Sequence, residues 1–209
     1  MEESLNLKKK VILSLFSGTN SWTKPYENDN RFKIITLDNN VDFKTNADIQ
    51  MDILQWDYTT LQDKIDIIYA SPPCNLYFTN IKHLTGCVKY TEADKLLSLK
   101  LVDKTIEIIN FFKPKYFIIE NPRAKMRQHY PEILGEKPQV FYYCQNGFDY
   151  KKPTDIWSNI KLEQDKCNHK KHIAYIKGTH NKMLNDRIAP LLAERFANYI
   201  KNHIFEVEV

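Results

Sequence analysis

Short apolar runs, each closed by a polar turn, divide the first two thirds of the chain. Residues 11–16, 32–37, 65–70 and 116–119 are rich in Ile, Val, Leu, Phe and Tyr and read as buried strands. Residues 48–53 read as a short additional strand or a sheet edge. Residues 90–112 differ in period: apolar side chains at Leu96, Leu97, Leu99, Leu101, Val102, Ile106, Ile108, Ile109 and Phe112 fall close to helical spacing. Thr91 is the predicted N-cap of that helix and Pro114 its stop. Strand, helix and strand in succession predict an α/β fold, with a mostly parallel sheet covered on both faces. Past about residue 138 the texture changes. Residues 139–144 and 154–158 are predicted strands, and residues 161–182 are rich in Lys and His. Residues 186–203 form an amphipathic helix with Leu191, Leu192, Phe196, Ala197 and Ile200 on one face.

The predicted strand ends carry the candidate chemistry, because ligands of open α/β sheets bind just past the carboxyl ends of the strands. Phe16-Ser17-Gly18 follows the first strand, and a Gly in that turn lets a ligand approach the backbone. Asp38 closes the second strand, where an acid commonly binds the ribose hydroxyls of a nucleoside. Asp52-Ile53 could bond and stack against an adenine ring. Each of these, taken alone, is equally an ordinary turn or loop acid. The chain has no G-x-G-x-x-G and no P-loop Lys-Ser/Thr, which disfavours dinucleotide and triphosphate cofactors.

Two further strand ends carry a thiol and a carboxyl. Ser71-Pro72-Pro73-Cys74 follows the fourth strand; the two prolines stiffen the loop, and a rigidly held thiol suits a nucleophile. A buried structural Cys is an equal alternative on these residues alone. Glu120 is expected to end the fifth strand ahead of Asn121-Pro122, where a semi-buried carboxyl can act as a proton donor. A capping or salt-bridged Glu is the alternative. The joint placement on neighbouring strands favours the reactive pair.

Charge and cysteine content narrow the setting only slightly. A net charge of +4 is compatible with nucleic acid without requiring it. The four cysteines form no C-x-x-C pair, and the first apolar run is too short for a signal core or a membrane span. The expectation is a reduced, cytoplasmic protein (the host-cell interior if viral) without disulfides or a membrane partner. Cys167, His169, His172 and His180 lie in the Lys/His segment. Contact with phosphates, a zinc site and a solvated loop are the three readings of it. The Cys-x-His-x-x-His spacing departs from structural zinc patterns, so no metal is assigned.

In this order and spacing, Leu-Phe-Ser-Gly (15–18), Asp38, Asp52-Ile53, Ser-Pro-Pro-Cys (71–74), Glu-Asn-Pro (120–122) and a closing segment from Asn185 to Ile200 resemble the cytosine-5 DNA methyltransferases. Tyr143-Cys144-Gln145-Asn146-Gly147 and Lys152-Pro153-Thr154-Asp155-Ile156-Trp157 are similar to the short phage and prophage members. The resemblance implies a Rossmann-like methyltransferase fold of the seven-stranded type and S-adenosyl-L-methionine as cofactor. It implies DNA as partner, with Cys74 adding to carbon 6 of a flipped cytosine while Glu120 protonates N3. Phe16, Ser17, Gly18, Asp38, Asp52, Ile53, Pro73 and Asn185 would bind the cofactor. Asn121, Pro122, Arg123, Gln145, Lys151 and Lys152 would bind substrate. The same chemistry on RNA and a catalytically silent nucleic-acid-binding protein are the alternatives.

Departures from the family are equally specific. The cofactor loop continues Thr19-Asn20-Ser21-Trp22 where a second Gly is usual. The family's Gln-x-Arg-x-Arg is absent after Gln145, and Arg123 and Lys125 are candidate substitutes for its charge. A single catalytic domain is expected over 1–209, with a target-recognition segment reduced to about 160–184. Recognition should therefore fall mostly on the phosphate backbone, or a partner protein should supply specificity.

Overall fold

The computed structural model describes residues 8–40, 47–73, 91–164, 166–167 and 188–206. Seven strands, β1 (Lys10–Leu15), β2 (Phe32–Asp38), β3 (Ile49–Gln50), β4 (Ile67–Ala70), β5 (Tyr116–Pro122), β6 (Gln139–Tyr142) and β7 (Pro153–Ser158), form one sheet. Their order is β3-β2-β1-β4-β5-β7-β6. β1 pairs in parallel with β2 and β4, β2 with β3, and β4 with β5. β7 runs antiparallel to both of its neighbours. Among the described residues the sheet is accompanied by α1 (Glu92–Phe112), the single turn α2 (Met126–His129), and α3 (Pro190–His203). This is the Rossmann-like methyltransferase architecture, mixed in direction and largely parallel.

Alternation along each strand sorts the core into two halves. Leu13, Leu15, Ile68, Ala70, Phe117 and Ile119 pack with Leu101, Val102, Ile108 and Ile109 of α1. Ile12, Ile67, Tyr69, Ile118 and Ile156 pack with Leu192, Ala193, Phe196 and Ile200 of α3 on the opposite face. The strands are apolar on both faces because both are covered, which is why their sequences read as continuous runs rather than alternating ones.

α1 starts where its cap dictates. The Thr91 hydroxyl accepts from Asp94 N, and the Asp94 carboxylate accepts from Thr91 N, closing a capping box. Lys113, in the left-handed conformation, ends the helix one residue before Pro114. α3 is shorter than its apolar pattern predicts. It begins at Pro190, preceded by an extended Ala189, with Pro at the first turn where no N–H is needed. The third strand is only Ile49–Gln50, and the β6 run ends at Tyr142, with Tyr143–Gln145 forming a single 3-10 turn.

β5 corrects one expectation. Its run continues through Glu120 and Asn121 to Pro122, because β7 pairs with it across that stretch, Glu120 opposite Ile156 and Pro122 opposite Thr154. Glu120 therefore lies inside a strand rather than at its end. Among the described residues no helix is long and apolar enough to cross a membrane.

Candidate active site

The strand order reverses at β1. The chain builds outward through β2 and β3, then returns to β4 on the other side of β1. The crevice between the carboxyl ends of β1 and β4 is thus the topological switch point, where ligands of such sheets bind. Phe16, Ser17 and Gly18 leave β1 there, and Ser71, Pro72 and Pro73 leave β4 there. Ser71 N donates to Leu15 O at 3.4 Å, tying the β4 exit to the end of β1, and Ser17 N donates to Leu37 O at 3.1 Å, tying the β1 exit to β2.

The loop after β1 is tightly wound. Phe16, Gly18 and Asn20 all take positive φ, at 55°, 50° and 57°. Only the Gly does so without a Cβ penalty. Gly18 N donates to Asp38 Oδ2 at 2.8 Å, while Asp38 Oδ1 accepts from Asn40 N at 2.8 Å. The Gly turn and the strand-end acid are thus in direct contact. Each Asp38 oxygen retains acceptor capacity beyond its one backbone bond. Asn20 Oδ1 is buried and finds no partner among the described residues. Carboxylate acceptors for ribose hydroxyls and an amide acceptor for an ammonium form a donor–acceptor set that fits S-adenosylmethionine. Asp52 Oδ1 accepts from Leu54 N, turning the chain, and Ile53 packs into the core on the α1 face.

Ser71 joins this region to Glu120. In the register, Ala70 faces Ile119, so the next residues, Ser71 and Glu120, meet beyond the paired stretch. The Ser71 hydroxyl adjoins the Glu120 carboxyl and favours its charged form. Its Oγ also accepts from Trp22 Nε1 at 3.1 Å, and the Trp22 ring stacks on Tyr69 at 5.1 Å. A second tie lies on the α1 face, where Asn121 Nδ2 donates to Pro72 O at 2.9 Å. Asn121 is fully buried, and its Oδ1 has no partner among the described residues. Pro73, the last described residue of this loop, is half-buried; Cys74 and Asn185 lie outside the described residues.

Glu120 is 5% exposed. Burial pushes its carboxyl above the ordinary range, opposed by the charge of Lys152 and by the hydroxyls of Ser71 and Tyr143. Tyr143 Oη donates to Glu120 Oε1 at 3.4 Å, and Lys152 Nζ sits 4.5 Å from the Tyr143 ring centre. The β6–β7 hairpin produces this arrangement, since Tyr143 N donates to Lys152 O just beyond the last paired residues. Lys152 is therefore brought to Glu120 as part of one cluster. Lys151 is exposed, 5.4 Å from the Tyr142 ring centre.

The remaining substrate candidates are distributed around that cluster. Pro122 is half-buried and Arg123 exposed at the end of β5, and Gln145 is half-buried in the 3-10 turn after β6. Sequence reasoning passed over Arg127, which lies two residues beyond Lys125. Arg127 forms a two-point ion pair with Asp155: Nε to Oδ2 at 2.8 Å and Nη2 to Oδ1 at 2.7 Å. Asp155 lies opposite Asn121 in the sheet and its side chain is 1% exposed. Burial raises its pKa, while Arg127 and then Arg123 lower it. An acid within the predicted strand 154–158 was the available signal for a buried partner.

The Lys/His segment is described only at its start. Cys167 Sγ lies 3.5 Å from Cys144 Sγ, a thiol neighbour that sequence spacing did not indicate. His169, His172 and His180 lie outside the described residues.

Comparison with known proteins agrees with the geometry. The family model for C-5 cytosine-specific DNA methylases matches residues 13–134. A Frog virus 3 protein named "Probable DNA (cytosine-5)-methyltransferase" is 32% identical over 160 residues, covering 72% of this chain and 71% of the viral one. A solved structure assigned as a DNA modification methyltransferase encoded within an E. coli prophage superposes with a TM-score of 0.52 at 14% identity. It covers 72% of this chain and 46% of that one, so the present chain spans about half of the prophage protein's length. That likeness bears on the fold alone.

Proposed function

The chain belongs to the C-5 cytosine-specific DNA methylase family, and we propose on that footing that it methylates carbon 5 of cytosine in DNA. The observation that carries the reading is the tie from the β4 exit to β5, Asn121 Nδ2 to Pro72 O at 2.9 Å, beside the register that sets Ser71 next to Glu120. It holds the turn leading to Cys74 against the strand that carries Glu120.

Cys74, as thiolate, adds to carbon 6 of a cytosine taken out of the stack. The carbon 6–sulfur bond forms, the 5,6 double bond opens, and its electron pair is released toward carbon 5 and the ring. Glu120 holds a proton at N3, which draws electron density from carbon 6 and neutralises charge developing on the ring. A buried carboxyl with a raised pKa is suited to carry that proton. Phe16, Ser17, Gly18, Asp38, Asp52, Ile53, Pro73 and Asn185 would hold S-adenosylmethionine, which would supply carbon 5 with an electrophilic methyl group and leave as the thioether S-adenosylhomocysteine. A base, water or hydroxide from solvent, then takes the carbon-5 proton; that electron pair re-forms the 5,6 double bond as the carbon 6–sulfur bond breaks and Cys74 leaves as thiolate.

Asn121, Pro122, Arg123, Gln145, Lys151 and Lys152 form the substrate side. With so short a recognition segment, we expect affinity to come from the phosphates and to fall steeply with salt. The mechanism is tested by trapping on DNA containing 5-fluorocytosine, where the carbon-5 substituent cannot leave. The native protein should give a covalent complex stable to denaturation, and Cys74→Ala none. An adduct that persists in Cys74→Ala would place the nucleophile elsewhere.

A further inference from the structure

Tyr143 is not among the residues that the family resemblance assigns to the site, yet its phenol is one of two hydroxyls that converge on Glu120. We propose that Tyr143 is a positioning residue for Glu120: its hydroxyl fixes the carboxyl against Ser71, so that one oxygen is presented to the base. The inference rests on the proposed role of Glu120.

The geometry is directional. Ser71 Oγ accepts from Trp22 Nε1, which leaves the Ser71 proton for the Glu120 carboxyl. Tyr143 Oη donates to Oε1 at 3.4 Å. That distance is long for an O–H···O bond, as catalytic contacts often are before substrate is bound. The phenol is a dependable donor, because burial and the adjacent Glu120 carboxyl push its pKa well above 10.0.

The ring is held on all sides. Phe148 stacks on it at 5.6 Å with an interplanar angle of 19°, Tyr150 lies at 6.4 Å, and Lys152 Nζ sits 4.5 Å from its centre. A fully buried ring packed against Phe148 and Tyr150 has little room to turn, which fixes where its hydroxyl meets the Glu120 carboxyl. Among the described residues, the charged and titratable groups facing Glu120 are Lys152 and Asp155, in addition to Tyr143. Arg127 and Arg123 act on Asp155.

Tyr143→Phe keeps the ring, its stacking and the Lys152 contact while removing only the hydroxyl. Loss of a donor to the carboxylate should raise the Glu120 pKa by about one pH unit. That shift can be read without turnover. Protein carrying 13C at the Glu side-chain carboxyls is titrated by NMR, with Glu120→Gln identifying the resonance. In kinetics, kcat should fall about tenfold with KM for DNA unchanged, and the alkaline limb of kcat/KM should move upward. A Tyr143→Phe protein of native melting temperature whose Glu120 titrates as in the parent would overturn the inference. Absence of methyl transfer by the parent protein would instead count against the proposed reaction and leave the titration to decide the role of Tyr143.

Discussion

Replacing Arg127 with Met removes a guanidinium from a carboxylate that has almost no access to water. The Asp155 side chain is 1% exposed, and Arg127, itself 27% exposed, supplies both hydrogen bonds of the pair. Breaking a buried pair by deleting one partner typically costs about 3–5 kcal/mol, because the other charge is left uncompensated. For a chain of this size each kcal/mol moves the melting temperature by roughly 2–4 °C, so a loss of about 6–20 °C is expected at pH 8. The sign of the pH dependence follows from Asp155. Burial already raises its folded pKa, and without Arg127 that rise is larger. The folded state then keeps a proton that the unfolded chain releases near pH ~4. Stability of Arg127→Met is therefore least affected below the unfolded pKa and falls as pH rises toward the folded one. Thermal melts of parent and variant at pH 5 and pH 8 should show a larger gap at pH 8. Asp155→Asn placed in the Arg127→Met background should recover part of the loss. A shift below about 2 °C at pH 8, or one of equal size at both pH values, would refute the buried-charge reasoning.

Other outcomes follow from single contacts. Gly147 has φ +99° where the turn after β6 meets Leu191; Gly147→Ala should cost about 1–3 kcal/mol in denaturant unfolding, and a neutral result would show that the turn is not held in that conformation. The Cys144 thiol is pushed up to about 11, chiefly by burial and then by Cys167; its alkylation by iodoacetamide should be slow at pH 8 and accelerate with each unit above it, whereas labelling at the rate of a free thiol would contradict this. Phe196 is fully buried and meets Trp22 and Phe141 edge-on; Phe196→Ala should cost about 3–5 kcal/mol, and a loss under about 1 kcal/mol would mean that α3 does not close that face of the sheet.

The central strands and α1 were legible because their physics is local. Runs apolar on both faces announce strands buried on both sides, and Thr91 and Pro114 bracket the helix by capping and by the missing N–H. The cofactor side was legible in its parts, as Gly18 and Asp38 are each recognisable, but their direct bond depends on the sheet. The far edge was harder. On sequence alone Glu120 ends its strand, and only the antiparallel pairing of β7, carrying Thr154 and Asp155, extends β5 to Pro122. Arg127 sits on a single helical turn that no periodicity can reveal. Tyr143 reads as one aromatic among several, and it reaches Glu120 only because the β6–β7 hairpin turns there. Residues whose role depends on pairing across the sheet carry no signature of their own in the sequence.

The central claim is that this chain places a methyl group on carbon 5 of cytosine in DNA through Cys74 and Glu120. The most direct test is incubation with DNA and methyl-labelled S-adenosylmethionine, followed by digestion to nucleosides and mass spectrometry. The account predicts labelled 5-methylcytosine with the native chain, none with Cys74→Ser, and a strongly reduced yield with Glu120→Gln. Label on any other base or position, or unchanged 5-methylcytosine from Cys74→Ser, would contradict it.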